Sequence, residues 1–441
     1  MGTDPPGPAE PARRAPPLGY AAWMSGGWSP RRVVLLACAA LAVAEILFVG
    51  ALFVSHHHIG QDFAAFYAAS FLVQTGHAEL LRSPEALVQV AEGMIGQQIG
   101  SAYPWPYPPM ARLLAYPLAF LPIAWAYAVA MAAGVAGYLS AVRRIVGPRA
   151  DATLMALVFP AVAVTLLYGQ ITFVSAALLG WGLALLPRRP RLAGALLGLL
   201  AFKPQFGLLV PVALVAGRRW PAALAAAASA LAFAAAGTAA FGWQAWEDFF
   251  RSAEAFGAFL GERAPTMYTY QSVFGAVRLA GGGVALAWIA QAVAAAAAAG
   301  AVWRAWSGRS TDEVRSATLV AATLLASPHL CDYDLVLLAI PLAFLVRDAA
   351  VRTGRSPGAM TFVAAGLVPP LARSTSRALH VAPGPWLTLL LWWTCLRARR
   401  ETAAGPAAVL HGLSSLQDAP ELEGRVDAPQ PAPAPRPPPL A

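Results

Sequence analysis

A carboxylate at Asp62, an ammonium at Lys203 and an imidazole at His329 are the side chains best placed in this sequence to do chemistry. Lys203 is the only lysine among 441 residues, and it lies inside an apolar stretch, 192–217, as Ala-Phe-Lys-Pro-Gln-Phe. A charge at membrane depth costs ~2.5–3.5 kcal/mol on insertion scales, so it is expected to face a polar cavity and hold something negative. The alternative is a lysine snorkelling from a helix end. Every other basic residue is arginine, which favours a compact, mobile point charge chosen for this one position. The ammonium is read as lacking a protein partner, so its removal is not expected to destabilise the fold.

Asp62 follows the first apolar segment in Gly-Gln-Asp-Phe. Gly60 lets the backbone turn sharply there and bring a carboxylate to the mouth of a helix bundle, where it can take a proton from a hydroxyl as general base. The alternative is a helix N-cap. Three short links carry further polar groups: Tyr168-Gly169-Gln170, Lys203-Pro204-Gln205, and the run from Ser327 through His329 to Asp332-Tyr333-Asp334. An acid, a cation, an imidazole and several amides at one membrane surface point to a reaction site more than to independent caps.

Two patterns invite a metal reading. Asp332 and Asp334 form an Asp-x-Asp pair like that of nucleotide-sugar enzymes, but one carboxylate can instead cap the helix that starts near 334. His56-His57-His58 cannot all point at one ion from a regular helix or strand, and reads as a solvated or interfacial cluster. No metal and no cofactor are expected.

These residues must be positioned by membrane helices. The chain is 58% hydrophobic and 12% charged with mean hydropathy +0.57, whereas globular domains are about 25% charged. An ordinary soluble enzyme is excluded, and an all-α polytopic membrane protein is expected. Apolar segments are 31–54, a stretch within 113–142, 151–168, 171–187, 192–203, 205–217, 221–241, 284–306, 316–328, 334–347, 358–371 and 385–397, about twelve in all. Pro117 and Pro122 can divide the second. With the N-terminus inside, the cytoplasmic segments carry 21 of the 31 basic residues and the opposite side seven, the positive-inside pattern. The count requires 192–217 to be a hairpin turning at Lys203-Pro204 near the outer face. The net charge of +9 therefore reports topology, and no nucleic-acid partner is implied.

The first outer loop, 55–112, is large; 63–75 and 84–98 have the spacing of interfacial helices, the second starting at Ser83-Pro84-Glu85. Its closing run, Ala-Tyr-Pro-Trp-Pro-Tyr-Pro-Pro, suits the headgroup layer, either as an anchor or as a rigid wall for an extended lipid or acceptor. Residues 1–30 and 398–441, rich in proline and alanine, read as disordered cytoplasmic tails around a membrane domain at 31–397. No apolar signal-peptide core precedes the first segment, which is expected to be an uncleaved anchor. Cys38, Cys331 and Cys395 form neither a metal nor a disulfide pattern.

In order along the chain stand Gly-Gln-Asp-Phe-x-x-Phe-Tyr, Tyr-Pro-Pro, Gly-Gln, Ala-Gly-x-x-x-Gly-Leu-Leu-x-x-Lys-Pro-Gln, Arg-Arg-Trp and His-x-x-Asp-Tyr-Asp. This order resembles glycosyltransferase family 87, polytopic enzymes of the C superfamily, over roughly residues 31–397. The resemblance implies transfer of a hexose, often mannose, from a polyprenyl-phosphate donor to a lipid or glycan acceptor at the outer face of the inner membrane, with inversion. The family's first-loop aspartate falls on Asp62 and its lysine-proline position on Lys203-Pro204. Asp62 is then the general base, and Lys203 with Arg373 or Arg377 meets the leaving phosphate. Gln61, Tyr67, Tyr107, Gln170, Gln205, His329 and Asp332 are expected to contact substrate. A transporter or flippase of a lipid-linked sugar is the alternative, but transporters are usually built from two related halves, and the large first loop has no counterpart in the second half.

Overall fold

The computed structural model describes residues 60–99, 105–261, 267–352 and 359–417, with the isolated positions 40, 43 and 47. Tail 1–30, nearly all of segment 31–54, the histidines 56–58 and residues 418–441 lie outside the described residues. Among the described residues every regular element is a helix and there is no strand.

The first loop supplies α1 (Gln61–Gln74), α2 (Pro84–Ile95) and α3 (Pro109–Ala115). Ser83 accepts from the Ala86 amide at 3.1 Å and so caps α2 where the sequence placed its start. Pro117 and Pro122 do separate a short piece, the 3-10 segment Tyr116–Phe120, from the full-length α4 (Ile123–Val146).

Next come α5 (Ala150–Leu157) and α6 (Pro160–Tyr168), bent by 46° at a break. Pro160 explains the bend: it donates no amide hydrogen bond and holds Phe159 in extended geometry. Then follow α7 (Thr172–Leu185), α8 (Pro190–Gly198), α9 (Pro204–Gly207), α10 (Val210–Ala216) and α11 (Trp220–Phe241). After these the chain forms α12 (Gln244–Gly261), α13 (Val273–Leu279), α14 (Val284–Ser307), α15 (Asp312–Ala326), α16 (Ala339–Arg352), α17 (Ala359–Leu379) and α18 (Gly384–Gln417). Helix α18 runs on to Gln417, past residue 398, where the tail was expected to begin.

Helices α4, α11 and α14 are each long and apolar enough to cross a bilayer, and the bent pair α5 and α6 would make a fourth span. Helix α11 buries only Ala222 and Gly237, as a lipid-facing helix does. The opposite case is α15, where every residue from Ser316 to Ala326 is buried, which places it at the centre of the bundle.

The reversal at Lys203 follows from glycine packing. A Cβ on Gly194 would meet the Ala222 carbonyl oxygen at 2.1 Å, and one on Gly198 the Ala226 oxygen at 2.2 Å. This small-x-x-x-small stripe lets α8 lie against α11 backbone to backbone. Both partner numbers rise together, so α8 and α11 are parallel and the chain between them must turn back. It turns at Lys203.

Helix α4 fixes the two ends of the bundle. At its start Tyr127 packs on Gly60 and Gly169; at its end the Ile145 carbonyl accepts from Arg347 at 2.9 Å. The far end collects ion pairs Arg347–Glu313 and Arg219–Asp312. The near end carries the site. There two left-handed glycines touch: the Gly60 amide donates to the Leu167 carbonyl at 2.7 Å, and a Cβ on Gly169 would fall 2.6 Å from Phe63 Cβ and 3.3 Å from Gly60 Cα. Gly169→Ala is therefore expected to combine left-handed strain with overpacking and to destabilise by ~2–4 kcal/mol. A faster thermal inactivation in detergent would register it; an unchanged half-life would contradict this account of the turn.

Candidate active site

Because the two glycine turns lie back to back, the side chains that follow them come together. Gly60, and not Asp62, is the N-cap of α1, and Asp62 lies in its first turn. The Gln170 amide Nε2 donates to Asp62 Oδ2 at 2.6 Å. Lys203 Nζ donates to Gln170 Oε1 at 3.2 Å and to Thr172 Oγ1 at 3.0 Å, and pairs with Asp334 Oδ1 at 3.4 Å. Thr172 in turn donates to Asp334 Oδ1 at 2.6 Å, and Asp334 Oδ2 accepts the Cys331 amide at 3.1 Å. The reading of Lys203 as lacking a protein partner is thus corrected: its side chain and that of Asp334 are 2% and 3% exposed and form a buried pair. A lysine and an aspartate that share a low-dielectric interior must find each other, because either alone is costly.

Asp62, Gln170, Lys203 and Asp334 border a cavity of about 550 Å³ at the near end of the bundle. Of the residues expected at the site, Gln61, Asp62, Tyr107, Gln170, Lys203, Gln205, His329 and Arg373 line it. Three others lie off its wall. The Tyr67 hydroxyl is spent on the Leu121 carbonyl at 2.8 Å, and Arg377 is exposed with its guanidinium 5.7 Å from the Tyr268 ring centre. Asp332 is buried beneath the surface, where it takes two hydrogen bonds from Arg373, Nε to Oδ2 at 2.7 Å and Nη2 to Oδ1 at 3.2 Å. These bonds hold the Arg373 guanidinium in place. Arg373 also stacks on Tyr168, 4.2 Å from the ring centre, which fixes a guanidinium edge on the cavity.

The two aspartates of the Asp-x-Asp pair are thus committed in different directions, Asp332 to Arg373 and Asp334 to Lys203 and Thr172. Among the described residues no three His, Cys, Asp or Glu side chains are grouped to hold a metal ion.

Electrostatics distinguishes the titratable groups. Burial raises the Asp62 carboxyl from an ordinary 3.8 to about 6, against the opposing pull of the Gln170 hydrogen bond, Arg373 and Lys203. Such an acid is mostly ionised at neutral pH yet basic enough to accept a proton, the poise a general base needs. Burial lowers His329 to about 4, so the imidazole is neutral; it lies against Phe256 and its Nδ1 is buried with no hydrogen-bond partner.

Amphipathic α12 supplies a wall that the sequence reading passed over. Phe249, Ala253, Phe256 and Phe259 face the cavity, while Arg251 and Glu254 are exposed. The signal was there: apolar residues every three or four positions among Glu247, Asp248, Arg251 and Glu254. Arg82 ties this helix to the first loop through Asp248 at 2.9 Å.

A sequence profile of glycosyltransferase family 87 matches residues 105–328, about half of the chain. The match takes in Tyr107, Gln170, Thr172, Lys203 and Gln205; Asp62 precedes it, and His329, Asp334 and Arg373 follow it. No curated protein and no solved structure matches the chain.

Proposed function

The chain belongs to glycosyltransferase family 87, and from that premise we propose that it moves a hexose, mannose in the first instance, from a polyprenyl phosphate to a hydroxyl of a lipid or glycan acceptor. The observation that carries the reading is a single cavity bordered by a carboxylate poised near neutrality and by a fixed guanidinium. Asp62 takes the proton as the acceptor oxygen attacks the anomeric carbon. The bond from that carbon to the phosphate oxygen breaks, its electron pair leaves with the phosphate, and Arg373 meets the charge. One displacement from the face opposite the phosphate inverts the anomeric centre. The aromatic wall of α12 suits an isoprenoid chain, and no cofactor enters the scheme.

In this reading the fold is of the C type, with about twelve spans including 31–54, and the cavity opens at the outer face of the inner membrane, where nucleotide sugars do not reach. The arginine asymmetry supports that orientation. Single cysteines at Gly76 and Ser310, in a protein without the native three, should label oppositely with a membrane-impermeant thiol reagent in intact cells; equal labelling would overturn the orientation. Donor class is tested with purified protein in detergent. Hexose should pass from a polyprenyl phosphate and not from a nucleotide diphosphate; the reverse preference would overturn the donor assignment, and since no gradient exists there, transfer itself separates an enzyme from a flippase.

A further inference from the structure

Resting on the base assigned to Asp62 above, we propose that Gln170, Lys203, Thr172 and Asp334 form a positioning network for that base, in which the ammonium orients the amide that holds the carboxylate. An ammonium can only donate, so the Gln170 oxygen must face Lys203 and its Nε2 must face Asp62. Were the amide reversed, its oxygen would confront the carboxylate and its NH2 the ammonium, acceptor against acceptor and donor against donor.

The cation is itself fixed. Gln170 Oε1, Thr172 Oγ1 and Asp334 Oδ1 are three acceptors for its three protons, and Asp334 is anchored on the Cys331 amide. A donor phosphate would have to displace one of them, which makes Arg373 the better phosphate cation and Lys203 a positioning residue. The direction of donation runs one way, from cation through amide to base, and it favours the ionised carboxylate.

Other charged or titratable groups face Asp62 from the elements around it. Arg373 comes from α17, Asp332 and Asp334 from the link before α16, and Tyr107 from the first loop. Tyr168, Tyr270, Tyr333 and Cys331 are also within its electrostatic reach. Tyr107 also hydrogen-bonds Gln170, but its phenol, raised well above the ordinary value by burial, stays uncharged through the acid limb, so a displaced titration there reports the amide.

The test is the pH profile of kcat/KM for sugar transfer by purified full-length protein. Gln170→Leu should move the acid limb upward by ~1 pH unit, since a hydrogen bond to an ionised group is lost, while KM for the prenyl-phosphate donor stays within ~2-fold. Gln170→Glu should move it further, by placing a second carboxylate beside the first. Should Gln170→Leu fail to fold, Thr172 carries the test: Thr172→Val should shift the limb in the same direction, and Thr172→Ser, which keeps the hydroxyl, should restore it. An unmoved limb together with a donor KM raised more than ~10-fold would overturn the proposal and return Lys203 and Gln170 to direct donor binding. The parent reading fails separately: a fully active Asp62→Asn removes the base, whereas an inactive Asp62→Asn with unmoved limbs in the Gln170 and Thr172 variants removes only the network.

Discussion

Asp62→Asn should lower turnover by ~10²–10⁴-fold with little change in donor affinity, because the amide keeps the size of the carboxylate and loses its basicity. The wild-type acid limb should lie near pH 6, where burial places the Asp62 carboxyl, and the residual rate of the Asn variant should show no such limb. The sign on stability runs the other way. A carboxyl titrating near 6 in the fold and near 3.8 when exposed favours folding only while protonated; that contribution is complete below about pH 4 and gone above about pH 6. At pH 8 the ionised group is a burden, so Asp62→Asn should resist thermal inactivation at least as well as the wild type. Lost activity with retained or raised stability separates chemistry from misfolding; near-normal turnover would remove Asp62 from the mechanism.

Lys203→Met should be strongly destabilising, by ~3–5 kcal/mol, because it strands Asp334 as an unpaired buried charge. The double variant Lys203→Met with Asp334→Asn removes both charges and should recover much of the folding while remaining impaired in transfer. The measurement is the yield of monodisperse protein and its thermal inactivation in detergent for the two single variants and the double. Additive losses, or a single Met variant as stable as the wild type, would show that the pair does not hold the site together.

The sequence made the site's chemistry legible because polar residues are rare in an apolar chain. Asp62, Gln170 and Lys203 stood out for that reason, and they do converge through direct hydrogen bonds. What could not be read was who pairs with whom. Asp334 lies 131 residues from Lys203, and no local pattern links them; the only clue was the general one that a buried ammonium calls for a carboxylate. Thr172, two residues past Gln170, looked like any helix-start threonine.

Direction is lost in the same way. An arginine pattern assigns residues to one end of a bundle and not to a wall of a cavity, and Tyr67, Asp332 and Arg377 lie off the wall that the other expected residues line. The cavity wall α12 is hard to read for a related reason: it lies outside the long apolar runs, although it carries a clear amphipathic period.

A single displacement at the anomeric carbon driven by Asp62 fixes the stereochemistry of the product. Purified protein in detergent is given a polyprenyl-phosphate hexose of defined anomeric configuration and a hydroxyl acceptor, and the new linkage is assigned by NMR coupling constants. One product of inverted configuration is expected, formed by the wild type and nearly absent with Asp62→Asn. A product of retained configuration would contradict it, since retention requires a second displacement that this arrangement of one base and one phosphate cation does not provide.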